Sequence, residues 1–333
     1  MNELGVGVVG AGGMGSRHAR NVTAIKGASL VAVMDTDHVR AGRLAAELDA
    51  KPFFDAMALI EHPDVQAVVV ASPDSTHADL VMACLEAGKP MLCEKPLAAT
   101  VEQAAAIVDR EAATGRRMVQ VGFMREYDPA HRAVREAVEG GLIGRPFLFK
   151  GLHANVSPPT PRFLAEVLVA SAIHDFHSAR FMTAEEIEWV VTHHLPFPFA
   201  SPDTCRLAMI TLGLSGGVLG TIEMNADAAH GYEVAVEVVG DGGRASTGGT
   251  LEPVLSRSGT KGQLVTDDWL ARFDTAYALE MQAFVGTAPS GMVGGPSAWD
   301  GYATLAAAQA AVASGLSGLR ESVDLPLRPR LYQ

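Results

Sequence analysis

Leu4-Gly5-Val6-Gly7-Val8-Val9-Gly10-Ala11-Gly12-Gly13-Met14-Gly15 is the stretch on which the organisation of the chain turns. An apolar run of strand length, Leu4 to Val9, stops at Gly10. The glycines that follow have the spacing G-x-G-x-x-G, and they open a segment with helical periodicity from Met14 to Ile25. A second apolar run, Ser29 to Met34, ends on Asp35, twenty residues after Gly15. The glycine spacing alone would be weak evidence. Strand, glycine turn, helix, strand and acid in this order form a specific pattern for holding a dinucleotide.

Each residue has a physical task in that pattern. Gly10 makes the tight turn, Gly12 lets backbone approach a pyrophosphate, and Gly15 allows the helix to pack closely on the strand. Gly13 and Met14 lie in the first turn, where free N–H groups and the positive end of the helix dipole face the phosphates. Asp35 would accept hydrogen bonds from the adenosine ribose hydroxyls and repel a 2′-phosphate. Neither Thr36 nor Asp37 supplies a cation for such a phosphate, so the expected cofactor is NAD rather than NADP.

Further apolar runs at Val65 to Ala71, Pro90 to Cys93 and Val119 to Gly122 alternate with helical patterns at His38 to Leu48, His77 to Ala87 and Val101 to Thr114. Runs buried on both faces and joined by helices indicate a doubly wound parallel sheet, the Rossmann arrangement. That domain is expected to span residues 1–122. After Phe123 the texture changes. A helix from about Ala130 to Glu139, a strand from Phe147 to His153, a proline-rich loop and a helix from about Phe163 to Met182 lead into β-rich sequence. Strands are expected at Trp189 to His193, Cys205 to Leu212, Val218 to Met224 and Tyr232 to Val239, with helices at about Asp274 to Gly286 and Asp300 to Gly315. The expectation for 123–333 is an α/β domain for substrate binding and oligomerisation, with a large open, mainly antiparallel sheet.

Composition narrows the function classes. The 333 residues carry a net charge of −12, with 48% apolar and 19% charged residues. That is a folding composition, and its length suits roughly two domains of about 150 residues. An acidic chain without a basic stretch lacks the cationic surface that nucleic acid or an anionic membrane requires. No run approaches the ~20 apolar residues of a membrane span, and the N-terminus does not read as a signal peptide. Cys84, Cys93 and Cys205 form neither a disulfide framework nor a zinc pattern. A cytoplasmic protein acting on a small molecule is expected.

Cys93-Glu94-Lys95-Pro96-Leu97 follows the fourth apolar run, at the sheet edge where parallel sheets place their sites. Together with GAGGMG, the stretch VVVASPDSTHADLVMACLEAGKPMLCEKPLA, VGFMREYDPAH, Gly144-Arg145-Pro146, RFDTAYALEMQAF and WDGYATLAAAQAA, it resembles the Gfo/Idh/MocA family of oxidoreductases over nearly the whole chain. The MREYDPA and WLARF-x-x-AY segments are most similar to the inositol dehydrogenase branch.

The resemblance implies NAD(P)-dependent oxidation of a secondary alcohol of a cyclic polyol or sugar, or the reverse, by a homodimer or homotetramer. It makes Lys95 the active-site lysine, preceding a cis Lys95-Pro96 bond. Ser72, Asp74, His77 and Glu94 match positions lining the nicotinamide pocket. Arg125 and Tyr127 match residues near the nicotinamide or substrate, and Tyr232 a substrate contact. His153 and Asn155 read equally as substrate contacts or as sheet-surface polarity. His174 matches the histidine of a family motif, D-x-x-x-H, in which it exchanges a proton with the reacting hydroxyl. The aspartate position is Ala170. Asp175 points off the face of His174 and reads as the structural partner of a loop, and His177 as a helix-face residue. No metal is expected, because His174 and His177 lack a third ligand at defined spacing. An aldose 1-dehydrogenase or keto-sugar reductase is the alternative within the family, and a non-catalytic NAD- or sugar-binding regulator the alternative outside catalysis.

Overall fold

Through residue 121 short strands alternate with helices: β1 (Leu4–Val9), α1 (Gly13–Ala24), β2 (Ala28–Met34), α2 (His38–Glu47), β3 (Lys51–Phe53), α3 (Ala56–Glu61), β4 (Ala67–Val70), α4 (His77–Glu86), β5 (Met91–Cys93), α5 (Val101–Thr114) and β6 (Val119–Val121). The computed structural model describes residues 3–247, 254–263 and 265–333. The six strands form a parallel sheet in the order β3-β2-β1-β4-β5-β6. Every residue of β1 and β4 is buried, as a sheet covered on both faces requires. The strand order reverses direction between β1 and β4, and the crevice beyond their carboxyl ends is where such sheets bind ligands. Periodicity does not reveal β3 and α3. Lys51-Pro52-Phe53 is a three-residue edge strand, a place that tolerates proline, and six residues of helix are too few to show a period.

Packing divides the chain into two units that are not contiguous in sequence. One comprises the chain up to Met124 with Ala276–Leu305 and Pro326–Gln333; the other comprises Arg125–Thr275 and Ala306–Leu325. The contiguous domains expected at 1–122 and 123–333 therefore need redrawing. Met281, Phe284 and Val285, from the helix Asp274–Thr287, pack in one core with Leu4, Val6, Val8, Leu30, Val69 and Leu92. The Tyr332 hydroxyl lies 2.6 Å from Glu111 in the same unit.

The second unit begins with α6 (Pro129–Glu139) and is built on β7 (Pro146–Val156), β8 (Ile187–Leu195), β9 (Leu207–Leu214), β10 (Leu219–Ala228), β11 (Glu233–Gly240) and β12 (Gly243–Ser246). The hairpin β13 (Val254–Arg257) and β14 (Thr260–Gln263) stands apart, and β15 (Glu321–Ser322) completes a seven-stranded sheet ordered β12-β11-β7-β10-β9-β8-β15. Only β7 and β10 run parallel within it, so the sheet is mixed and mainly antiparallel. Its strands alternate sides. Ala208, Ile210, Leu212, Ile222 and Met224 pack with Phe176, Ala179, Met182, Ala307, Ala308 and Ala311. Met209, Thr211, Leu219 and Thr221 are exposed on the opposite face.

The single helix expected at about Phe163 to Met182 is three consecutive pieces. Leu164–Glu166 is α, Val167–Ala172 is π, and Ile173–Thr183 is α again. The wider π turn carries Ala170 and Ser171, both half-buried. Such turns are rare and frequently lie at functional sites.

Candidate active site

In the first unit Gly10 makes the tight turn and Gly15 the close helix packing that their spacing implied. Gly10 has φ +99, and a Cβ there would meet the Ala71 carbonyl oxygen at 2.4 Å. At Gly15 a Cβ would lie 1.7 Å from the Gly10 carbonyl oxygen, so helix and turn close only without one. Gly12 and Gly13 are different, because a Cβ on either would meet nothing within 4 Å. The protein leaves that space open for something else. Side chains cap the helices α2, α3, α5 and α6, through Asp37, Asp55, Thr100 and Asp128. No side chain caps α1, and its first turn, including Met14, contains no acid. An open cradle at an uncapped helix N-terminus fits the pyrophosphate of NAD.

Asp35 is buried at the end of β2. It accepts hydrogen bonds from the backbone N–H of Ala11 (2.9 Å) and of Asp37 (2.9 Å). One residue went unnoticed in the sequence. Arg40, a turn into α2, lies 3.3 Å from Asp35 and 3.4 Å from Asp37, so a cation does stand beside Asp35, neutralised by two carboxylates.

The loops after β4 and β5 carry Ser72, Asp74, His77, Glu94 and Lys95. Asp74 is exposed, Ser72 and Lys95 half-buried, and His77 and Glu94 buried. Thr76 donates its hydroxyl to the Pro73 carbonyl (2.8 Å), so the Ser72 hydroxyl is the donor in the 2.6 Å contact between Ser72 and Thr76. Glu94 takes a 2.8 Å hydrogen bond from Nε2 of buried His18. Burial works against its charge, yet His18, Lys95 and His77 hold its carboxyl below the usual range. The Lys95-Pro96 peptide bond is cis, as the resemblance implied.

In the second unit the short turn Met124–Tyr127 presents Arg125, which is 2% exposed. It donates to Oδ1 of Asp175 at 2.6 Å. The other carboxylate oxygen of Asp175 lies 2.6 Å from Nδ1 of His153, on β7. Asp175, expected as the structural partner of a loop, meets Arg125 of this short turn and is the fully buried centre of an ionic cluster. Burial alone would raise its carboxyl; the Arg125 charge and His153 bring it down to about 2. Desolvation lowers His153, and because a carboxylate only accepts, it is Nδ1–H that points at Asp175. Its Nε2 lies 3.2 Å from the side-chain amide of half-buried Asn155, which also reaches the Ser171 hydroxyl at 3.3 Å. Tyr232 packs edge-on against His153 with ring centroids 5.8 Å apart, and burial pushes its hydroxyl up to about 12.

Tyr127 is buried on the Arg125 turn. His174 is 7% exposed and follows half-buried Ala170 by four residues. His177 is buried, 2.8 Å from Glu126, so it is a paired interior residue instead of a helix-face one. Among the described residues no group of three or more His, Cys, Asp or Glu is arranged to hold a metal. Among the same described residues no helix is long and apolar enough to cross a membrane.

A pH dependence follows from Asp175. Because its folded value lies below the ordinary 3.8, its stabilising contribution is fully present above about pH 4 and is lost as pH falls toward 2. Thermal unfolding followed by circular dichroism is expected to give a midpoint that drops steeply between about pH 4 and 2 in the parent protein. A drop of equal size in Asp175→Asn would contradict this.

Comparison with known proteins agrees with this geometry. Residues 4–123 match the Gfo/Idh/MocA model described as an oxidoreductase family with an NAD-binding Rossmann fold, and residues 131–246 match a C-terminal domain of the same family. An inositol 2-dehydrogenase of Rubrobacter xylanophilus is 45% identical, covering 99% of this chain and 96% of the relative. Inositol 2-dehydrogenase 4 of Saccharopolyspora erythraea is 40% identical over 99% and 98%. The crystal structure of myo-inositol dehydrogenase from Lactobacillus casei, in complex with NAD(H) and myo-inositol, superposes with a TM-score of 0.94 at 31% identity, covering 99% of this chain and 100% of the other. With its open glycine cradle, its lysine loop and both family domains in place, the chain belongs to the Gfo/Idh/MocA family of NAD-binding oxidoreductases.

Proposed function

We propose that the protein oxidises a secondary alcohol of an inositol-like cyclic polyol to a ketone, with NAD as acceptor, or runs the reverse reduction. The observation that carries this is Lys95, which follows β5 at the carboxyl edge of the sheet that also forms the dinucleotide cradle. End-to-end similarity to inositol dehydrogenases supports the substrate class. NAD, when bound, supplies the hydride acceptor at C4 of its nicotinamide. Gly10, Gly12, Gly13, Met14 and Gly15 hold its pyrophosphate, Asp35 its ribose, and Ser72, Asp74, His77, Glu94 and Arg125 flank its nicotinamide end. His174 accepts the hydroxyl proton as the carbinol carbon gives up hydride, and Lys95 polarises the same oxygen. Tyr127, His153, Asn155 and Tyr232 position the ring of the substrate. The methyl group of Ala170 leaves room beside it.

The test is a screen of inositols, aldoses and their keto forms with NAD and with NADH. Turnover of an inositol with NAD is the expected result. Turnover confined to aldoses or keto-sugars would favour the other family activities, and NAD binding without turnover of any of them a regulator. We further infer a homodimer or homotetramer in a reducing cytoplasm. Three free, buried cysteines support the compartment, and the exposed sheet face bearing Met209 and Leu219 supports the pairing; light scattering tests it.

Cofactor choice gives a sharper expectation. Asp35→Ser removes the acid that repels a 2′-phosphate and releases Arg40 toward one. The KM for NADP is expected to fall about tenfold to a hundredfold, the worth of one charge-assisted hydrogen bond, and that for NAD to rise similarly. Unchanged preference would contradict the role given to Asp35.

A further inference from the structure

We propose that His77 carries a proton on both ring nitrogens and, as a buried imidazolium, is the positioning residue that sets Lys95. Its side chain is 1% exposed and spans two loops. Nδ1 lies 2.7 Å from the carbonyl oxygen of Pro96, and Nε2 lies 2.9 Å from the carbonyl oxygen of Ser72. A backbone carbonyl oxygen only accepts, and unlike a side-chain amide it has no alternative orientation that would offer a donor. A neutral imidazole has one N–H, so one of these close contacts would set lone pair against lone pair. Two N–H groups satisfy both. His153 makes the contrast, since its second nitrogen faces the amide of Asn155, which can present either its oxygen or its NH2 group.

The ionisable groups in the segments that carry the ring and its two acceptors are Asp74, Asp79, Glu94 and Lys95. Glu94 is electrostatically coupled to the ring, so a carboxylate is at hand to balance the charge. Mechanically the imidazolium ties the loop after β5 to the loop after β4, through the residue that follows Lys95. The residue that precedes Lys95 is held as well: Glu94 is bound by His18 through its side chain and by Val70 through its N–H, at 2.9 Å. Lys95 therefore sits between two neighbours that histidines hold in place.

This rests on the assignment of Lys95 above, but the proton count on the ring is read without substrate, so the two fail separately. In protein labelled with ring-15N histidine, the resonances missing from His77→Gln identify the ring. Two protonated nitrogens at pH 7.5 are expected; one protonated nitrogen and one bare nitrogen would overturn the proposal. In His77→Gln, which offers one amide donor group and no charge, kcat at saturating NAD is expected to fall at least about tenfold, over and above any change in NAD affinity, as for loss of a charged hydrogen bond acting through geometry. A kcat within twofold of the parent, or a loss confined to the KM for NAD, would overturn the positioning role. Should His77→Gln not fold, His77→Asn gives the same two comparisons.

Discussion

Replacing Lys95 with methionine is expected to lower kcat about a thousandfold while NAD affinity stays within about threefold. Methionine keeps most of the unbranched stem and removes only the ammonium. The cradle at Gly10 to Gly15 and the buried Asp35 are untouched, so the dinucleotide should still bind and quench protein fluorescence. The loss falls on the step in which the substrate oxygen gives up its proton, where a cation beside that oxygen favours the alkoxide-like transition state over the neutral alcohol. Lys95→Arg is expected to recover little, because a planar guanidinium cannot take the place of a compact ammonium beside Glu94. Steady-state kinetics with the best inositol of the screen, alongside a fluorescence titration with NAD, decides it. A kcat within tenfold of the parent would remove Lys95 from the chemistry.

The largest stability effect should come from Asp175→Ala, at about 3–5 kcal/mol. Asp175 is fully buried and Arg125 2% exposed, with 2.6 Å between them. Taking away the carboxylate leaves a guanidinium with its main counterion gone, and burial supplies no solvent to replace it. His153 loses the acceptor for its Nδ1–H at the same time. Urea unfolding monitored in the parent, Asp175→Ala, Arg125→Met and the double variant separates the pair energy from the cost of orphaning one partner. The double variant is expected to be more stable than Asp175→Ala alone. A single-variant loss under 1 kcal/mol would mean that the cluster is not the electrostatic centre of the second unit.

What could be read in advance follows from range. The glycine fingerprint, the strand and helix order up to Val121 and the Lys95 loop are local patterns, and each stands where its spacing implied. β3 escaped because three residues with a proline and an exposed lysine show neither periodicity nor an apolar run. Asp175 and His177 escaped for a different reason. Their partners, Arg125, His153 and Glu126, lie 22 to 51 positions away, and helix spacing says which way a side chain points without saying what waits there. Arg40 was within reach: it stands five residues past Asp35, on the first turn of a helix that begins at His38, where it can turn back toward the acid.

The division of the chain sets an order of assembly. Synthesis delivers β1 to β6 first, but their core also takes in Met281, Phe284 and Val285, and Glu111 meets Tyr332 from 221 positions further along. On the ribosome, the stretch made first is the unit finished last. Until its late segments emerge, the core around Leu30 has only the side chains of α1 and α2, among them Ala19, Val22, Leu44 and Ala45, and lacks Met281, Phe284 and Val285, and a fragment cut near Phe123 would keep that gap permanently. Such a fragment, though it holds every residue of the dinucleotide cradle, should aggregate in place of binding NAD.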